Sequence, residues 1–183
     1  MGKIKVLTDD VASQIAAGEV IERPGSVVKE LVENAIDAEA SHITVRISEA
    51  GKKLIEVSDN GNGISFEELE LAVARHATSK LRSASDLYKI QTLGFRGEAL
   101  ASIASVSQFS LLSKQKREDI GGKIENIDGK AFHVSHYGGP EGTSVIVRNL
   151  FFNVPARLKF QKSDITEKQK ISSLITKFAL AYP

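Results

Sequence analysis

Ser26-Val27-Val28-Lys29-Glu30-Leu31-Val32-Glu33-Asn34-Ala35-Ile36-Asp37-Ala38 is the stretch on which the fold turns. Ser26 stands where a helix N-cap is expected, just behind the Pro24-Gly25 break, and Val28, Leu31, Val32, Ala35 and Ile36 recur at helical spacing. A helix running to about Ala38 is predicted. Its other face carries Glu30, Asn34 and Asp37 at i, i+4 and i+7, within an arc of about 60°, so the three project together. Spacing alone favours a solvated polar face. The alternative is chemical: a carboxylate can orient and deprotonate water, while a neutral amide oxygen can ligate hard Mg2+ without adding negative charge beside phosphates. Glu30 and Asn34 suit those two tasks.

Working outward, 13–22 is a short mixed segment. His42 to Ser48 alternates polar and apolar side chains, and Leu54 to Val57 follows after Gly51, so the two runs read as a hairpin. Ser65 with Glu68 has the spacing of a capping box ahead of a helix through about His76, and Glu98 to Ser105 opens another behind a glycine pair. Strand-like runs resume at Phe109 to Leu112, Lys130 to Val134 and Thr143 to Val147. Ile165 to Ala181 closes the chain as an amphipathic helix carrying Ile171, Leu174, Ile175 and Phe178. Helices and strands mix without a βαβ rhythm. The expected fold class is therefore α+β, a two-layer sandwich with helices on one face of a largely antiparallel mixed sheet.

Two loops carry further chemistry. Asp59-Asn60-Gly61-Asn62-Gly63 reads as an Asp-capped turn. Taken alone, that plain turn is the favoured reading; the sharper alternative is a ligand loop whose carboxylate selects adenine by accepting from the exocyclic amine, since a base without that donor leaves the charge unsatisfied. Thr92 to Leu100, with Gly94 and Gly97 ahead of a helix, can aim backbone N–H groups at an anion or be a plain loop. It is neither GxxxxGK[ST] nor GxGxxG. The 80–97 segment is long enough to act as a lid. Lys80 alone reads as a surface lysine, and His76 has no metal-ligand partner at useful spacing.

The chain has 183 residues with 42% hydrophobic content, enough for one sizeable core, and one domain over 1–183 is expected. Lysine plus arginine number 24 against 23 acidic residues, so no whole-surface field marks a nucleic-acid binder. Arg148, Arg157, Lys159 and Lys162 form a basic strip of ordinary surface composition, to which no site is assigned. Cysteine is absent, which removes disulfides and thiolate metal sites, and no apolar run approaches the roughly 20 residues that span a bilayer. No secretory pattern opens the chain, so a cytoplasmic location is expected.

Taken in order, Glu-x-x-x-Asn, Asp-x-Gly-x-Gly and the glycine-rich segment ahead of a helix resemble the GHKL ATPases. That superfamily includes gyrase, heat-shock chaperone, histidine-kinase and MutL branches. Gln14 to Val20, Lys29 to Asn34, Ala74 to Lys80, Gly94 to Leu100 and Asn153 to Arg157 resemble the MutL branch, and the five motifs reach over nearly the whole chain.

The resemblance implies a Bergerat-type fold that hydrolyses ATP with Mg2+. It implies Glu30 as general base, Asn34 as magnesium ligand and Asp59 as the adenine reader, with Thr143 assisting and Gly63 giving the base room. Asp37, Ala38 and Ile64 would line the same nucleotide site. Thr78, Ser79, Lys80, Leu93, Gly94, Phe95, Arg96, Gly97, Glu98, Ala99 and Leu100 would form lid and phosphate cradle. Asn62 stands where some relatives carry cysteine, a side chain that need not touch ligand.

The resemblance also implies a bacterial-type protein associated with the nucleoid during repair, with further parts beyond Pro183. One is a transducer-like second domain supplying a lysine to the terminal phosphate, the other a C-terminal dimerisation domain. ATP and ADP, DNA through the full-length protein, a MutS-type mismatch-recognition protein and a second copy of the chain would be its partners. The segment before Pro24 reads as an arm for another subunit or as an edge packed on its own domain. Two other functions stay open, a histidine-kinase-type phosphotransferase and a non-catalytic nucleotide-gated interaction module. Glu30 argues against the first, which needs no water-activating carboxylate there.

Overall fold

The computed structural model describes residues 5, 6, 8, 15–18, 20–75, 77, 92–94, 97–127 and 131–183. Pro24 opens helix α1 (Pro24–Asp37), three residues ahead of the expected start, with extended Arg23 as the N-cap in place of Ser26. Proline suits a first helical position because its fixed φ is helical and its missing N–H would have no partner there. Ser26 is thus inside the helix, its N–H donating to the Arg23 carbonyl (3.0 Å). Val27, Val28, Leu31, Val32 and Ala35 are buried, as the periodicity requires.

The hairpin forms from β1 (Ile43–Ser48) and β2 (Leu54–Asp59), joined by a 3-10 turn at Glu49–Gly51. After a second 3-10 turn (Phe66–Glu68) comes α2 (Leu69–Ala72), which stops short of His76, a residue outside those described. The expected capping box does not form: Ser65 Oγ donates to Glu68 Oε2 (3.1 Å), and no backbone N–H is capped by Ser65. Helix α3 (Ala99–Ser105) leads into β3 (Gln108–Lys114). Strand β4 (Gly121–Asn126) escapes the pattern reading because Gly121-Gly122 looks like a turn. A Cβ on Gly122 would lie 2.2 Å from Leu69 Cδ1, so α2 packs directly over that glycine.

Strand β5 is His133–Tyr137, later than the expected Lys130 to Val134, because pairing with β4 matches Glu125 to His133 and Gly121 to Tyr137. Lys130 itself is outside the described residues. Then follow β6 (Gly142–Arg148), the unanticipated short helix α4 (Pro155–Phe160), and α5 (Asp164–Ala181). Ser163 caps α5, accepting from the Thr166 N–H at 3.4 Å.

The six strands run in the order β1-β2-β6-β3-β4-β5, and every described ladder is antiparallel. Register decides what the helices meet. Ile47, Ile55, Val147, Phe109 and Asn126 pair into one row, and Val45, Val57, Val145, Leu111, Ile124 and Val134 into the next. The third row is Ile43, Asp59, Thr143, Ser113, Gly122 and His136. Since strand side chains alternate, all three rows share a face. The first two are almost wholly apolar and make the core with α1 and α3; each fully buried Val, Leu, Ile or Phe contributes about 1.5–3 kcal/mol. The third row is polar at its centre. On the opposite face Arg46 pairs with Glu56 (3.0 Å) and Ser58 with Ser144 (2.8 Å).

Helix α5 rests on α1 and on the 49–51 turn through Ile171. Among the described residues no helix is long and apolar enough to cross a membrane.

Candidate functional site

A cavity of about 670 Å3 opens between α1, the polar sheet row and the loop ahead of α3. That is ample for a small organic ligand. Glu30, Asn34, Asp37, Ala38, Asp59, Gly63, Ile64, Leu93, Gly94, Gly97, Glu98, Ala99, Leu100 and Thr143 all line it. Thr78, Ser79, Lys80, Phe95 and Arg96 lie outside the described residues.

The sheet wall is the most tightly bonded side. Asp59 ends β2, and its Oδ1 accepts from the N–H of Gly61 (2.8 Å) and of Thr143 (3.3 Å). Burial pushes the Asp59 carboxyl above its usual pKa, and those two backbone donors only partly offset the effect. An acceptor held in place and short of charge partners is suited to a ligand N–H. Gly142, opposite, has φ +101° and would drive a Cβ to 2.0 Å from the Asp59 carbonyl oxygen, so only glycine allows the strands to approach here. Gly63 has φ +72°, and its absent Cβ leaves space for the Lys114 carbonyl oxygen (2.3 Å). Its lack of a side chain therefore serves the backbone of β3. Asn62, a side chain that the sequence reading did not require to touch ligand, also lines the cavity.

Ser113 is one residue the sequence reading missed. It is fully buried behind Thr143, accepting from the Ile64 N–H (2.8 Å), donating to the Gly142 carbonyl (3.0 Å) and meeting Thr143 Oγ1 at 2.9 Å. A signal existed. Ser113 lies two and four residues beyond Leu111 and Phe109, on the buried parity of its strand.

On the helix wall, Glu33 joins Glu30, Asn34 and Asp37 in facing the cavity, three residues from Glu30 and on the same side of α1. Lys29 bridges the two glutamates, 2.7 Å from Glu33 Oε2 and 3.3 Å from Glu30 Oε1. Burial alone would lower the pKa of that ammonium. The Glu33 hydrogen bond and the two carboxylate charges outweigh burial and hold it above the usual lysine value. Glu30 is thereby kept beside a fixed cation.

The loop wall hangs from α1. Asp37 accepts from the Leu93 N–H through Oδ1 (2.9 Å) and from the Gly94 N–H through Oδ2 (3.2 Å), while Thr92 Oγ1 donates to the Gly94 carbonyl (2.7 Å). Asp37 thus anchors the glycine segment.

Val20 closes the edge of the cavity, and Ala17 and Ile21 are buried in the core, so that part of the segment before Pro24 packs on its own domain, whereas Val6 and Ile15 are exposed. Arg157 secures it, donating to the Ile21 carbonyl (3.2 Å) with its guanidinium over the Phe151 ring (5.6 Å). That removes Arg157 from the basic surface strip.

Residues 22–133 match the family described as histidine kinase-, DNA gyrase B-, and HSP90-like ATPase. The chain belongs to that family. Its relatives put it in the MutL branch: it is 55% identical over 183 residues to the DNA mismatch repair protein MutL of Acidobacterium capsulatum. It is also 56% identical over 181 residues to that of Syntrophomonas wolfei. These alignments cover 100% and 98% of the chain but 28% and 31% of the relatives, so the chain spans under a third of their length. Among solved structures it resembles the Aquifex aeolicus MutL ATPase domain complexed with ADP, with a TM-score of 0.67 and 42% identity over 88% of this chain and 56% of that one. The helices on a six-stranded antiparallel sheet are the Bergerat arrangement of such domains.

Proposed function

We propose that the cavity binds ATP with Mg2+ and that the chain is the ATP-hydrolysing part of a DNA mismatch-repair protein. The observation that carries this reading is the pairing of a half-buried acceptor, Asp59, in the sheet floor with a carboxylate and an amide, Glu30 and Asn34, on the facing helix. Asp59 would take the adenine amine and Glu30 would accept a proton from the attacking water. Asn34 would give magnesium one neutral oxygen. Among the described residues no group of three or more His, Cys, Asp or Glu side chains could hold a metal, which suits a cation carried mainly by phosphate oxygens and water. Bound Mg2+ would neutralise charge on the terminal phosphates. Leu93, Gly94, Gly97, Glu98, Ala99 and Leu100 would cradle those phosphates, with Thr78, Ser79, Lys80, Phe95 and Arg96 completing the lid.

Residues 1–183 would act as one ATP-binding domain of a longer protein. There ATP would control dimerisation of two copies and couple a MutS-type mismatch-recognition protein to later steps on DNA, in the bacterial cytoplasm. Alone, the chain is expected to bind nucleotide with little turnover, because phosphoryl transfer depends on positioned positive charge that another domain would supply. Equal turnover by this chain and the full-length protein would remove that expectation.

The test is calorimetric titration with ATP and Mg2+, followed by Glu30→Ala in the full-length protein. Retained binding with hydrolysis reduced about 100- to 10,000-fold is the expected outcome. Unchanged hydrolysis would remove Glu30 as the base, and no uptake of ATP or ADP would end the nucleotide reading.

A further inference from the structure

Ser113 Oγ has every hydrogen-bonding position filled. Its one proton goes to the Gly142 carbonyl oxygen at 3.0 Å, which can only accept, and one lone pair takes the Ile64 N–H at 2.8 Å. Either oxygen could donate in the remaining contact, 2.9 Å to Thr143 Oγ1; with the Ser113 proton on the Gly142 carbonyl, the Thr143 hydroxyl donates and Ser113 accepts. In that arrangement the hydroxyl of Thr143, which lines the cavity, has lone pairs and no proton to offer a ligand. Asp59, its register partner on β2, presents a carboxylate. The floor of the site thus sets two acceptors side by side, with no hydroxyl donor between them.

We infer that Ser113 is a positioning residue that sets base specificity. By fixing the Thr143 hydroxyl, it makes the floor receptive to a purine with an exocyclic amine and hostile to one with a carbonyl at the same position. A carbonyl oxygen at that position has no proton for either acceptor, whereas an amine has two. A hydroxyl free to rotate would serve either base. Ser113 removes that freedom from behind, without touching the ligand. The inference rests on the nucleotide reading of the cavity.

The experiment measures affinities for ATP and inosine triphosphate, each with Mg2+, by calorimetry on the purified protein. The wild-type protein is expected to prefer ATP, and Ser113→Ala to narrow that preference about tenfold, since the released Thr143 hydroxyl can donate to the 6-oxo group. Thr143→Val should narrow it as well. Adding Ser113→Ala to Thr143→Val should change nothing further. An unaltered preference in folded Ser113→Ala, or a further narrowing in the double variant, overturns the assignment. If Ser113→Ala does not fold, Thr143→Val decides, and an unaltered preference there overturns it too. A wild-type protein that binds neither nucleotide removes the nucleotide reading and this assignment together. ATP binding with an unmoved ratio removes this assignment alone.

Discussion

The sheet wall and the loop wall of the cavity are held by different kinds of bond. Asp59, Thr143 and Ser113 sit on β2, β6 and β3, three adjacent strands whose backbones are laddered to one another, so their positions are set as soon as the sheet forms. Leu93 and Gly94 are tied to the rest of the molecule by the Asp37 carboxylate. The contrast separates recognition from response. A floor fixed by the cooperative core can discriminate between ligands, because it will not adapt to the wrong one. A wall anchored through side-chain hydrogen bonds, as Leu93 and Gly94 are to Asp37, can shift at the cost of those bonds.

Four substitutions test that contrast. The largest effect is expected from Gly142→Ala, which forces a side chain into positive φ and against the Asp59 carbonyl; stability should fall by about 2–4 kcal/mol in urea denaturation. A loss below about 0.5 kcal/mol would show that the floor gives way easily.

Next comes Asp59→Asn, for which ATP affinity should drop about 10- to 100-fold. Its effect on the ligand-free protein has a defined sign. Because burial raises the folded-state pKa of Asp59, its contribution to stability is complete below the unfolded carboxyl pKa and is lost as pH rises through the folded value. The variant does not titrate there, so its melting temperature should gain on the wild type as pH rises above the unfolded carboxyl pKa of about 4. A constant difference across that range would argue against a half-buried, ligand-seeking carboxylate.

For the loop wall, Asp37→Asn keeps one acceptor oxygen and sets an NH2 against a backbone donor. Amide exchange at Leu93 and Gly94 should accelerate, and ATP affinity should fall about three- to tenfold. Unchanged exchange would mean that something other than Asp37 holds the loop. The smallest effect belongs to Arg46→Ala on the outer face of the sheet, where an exposed ion pair contributes under about 0.5 kcal/mol and nucleotide affinity should not move.

How much of this could be read from the sequence follows from where the determining forces are local. The polar face of α1 and the β1–β2 hairpin were legible because period and burial agree there: Val28, Leu31 and Val32 point inward and Glu30, Asn34 and Asp37 toward the cavity. The start of α1 was misplaced because Pro24 satisfies the helix N-terminus by lacking a donor, whereas the pattern reading looked for a hydroxyl cap. Strand β4 was illegible because Gly122 is dictated by Leu69 of α2, a contact between distant segments. Ser113 was missed for a related reason: its partners Ile64, Gly142 and Thr143 come from other strands and loops. Glu33 was passed over although its spacing from Glu30 puts it on the same helical face. The GHKL resemblance supplied Thr143, which no local pattern marks.

The floor residues come from places far apart in the chain, with Thr143 84 positions beyond Asp59 and 30 beyond Ser113. What unites them is counting. Inserting or deleting one residue inside any of the three strands would exchange its odd and even positions, swinging the wanted side chain to the solvent side. Two residues would restore the parity but slide the group by about 7 Å along its neighbours. Length variation in this domain is therefore steered into the connections between strands, and the spacing within 54–59, 108–114 and 142–148 is as much a part of the site as the residues themselves.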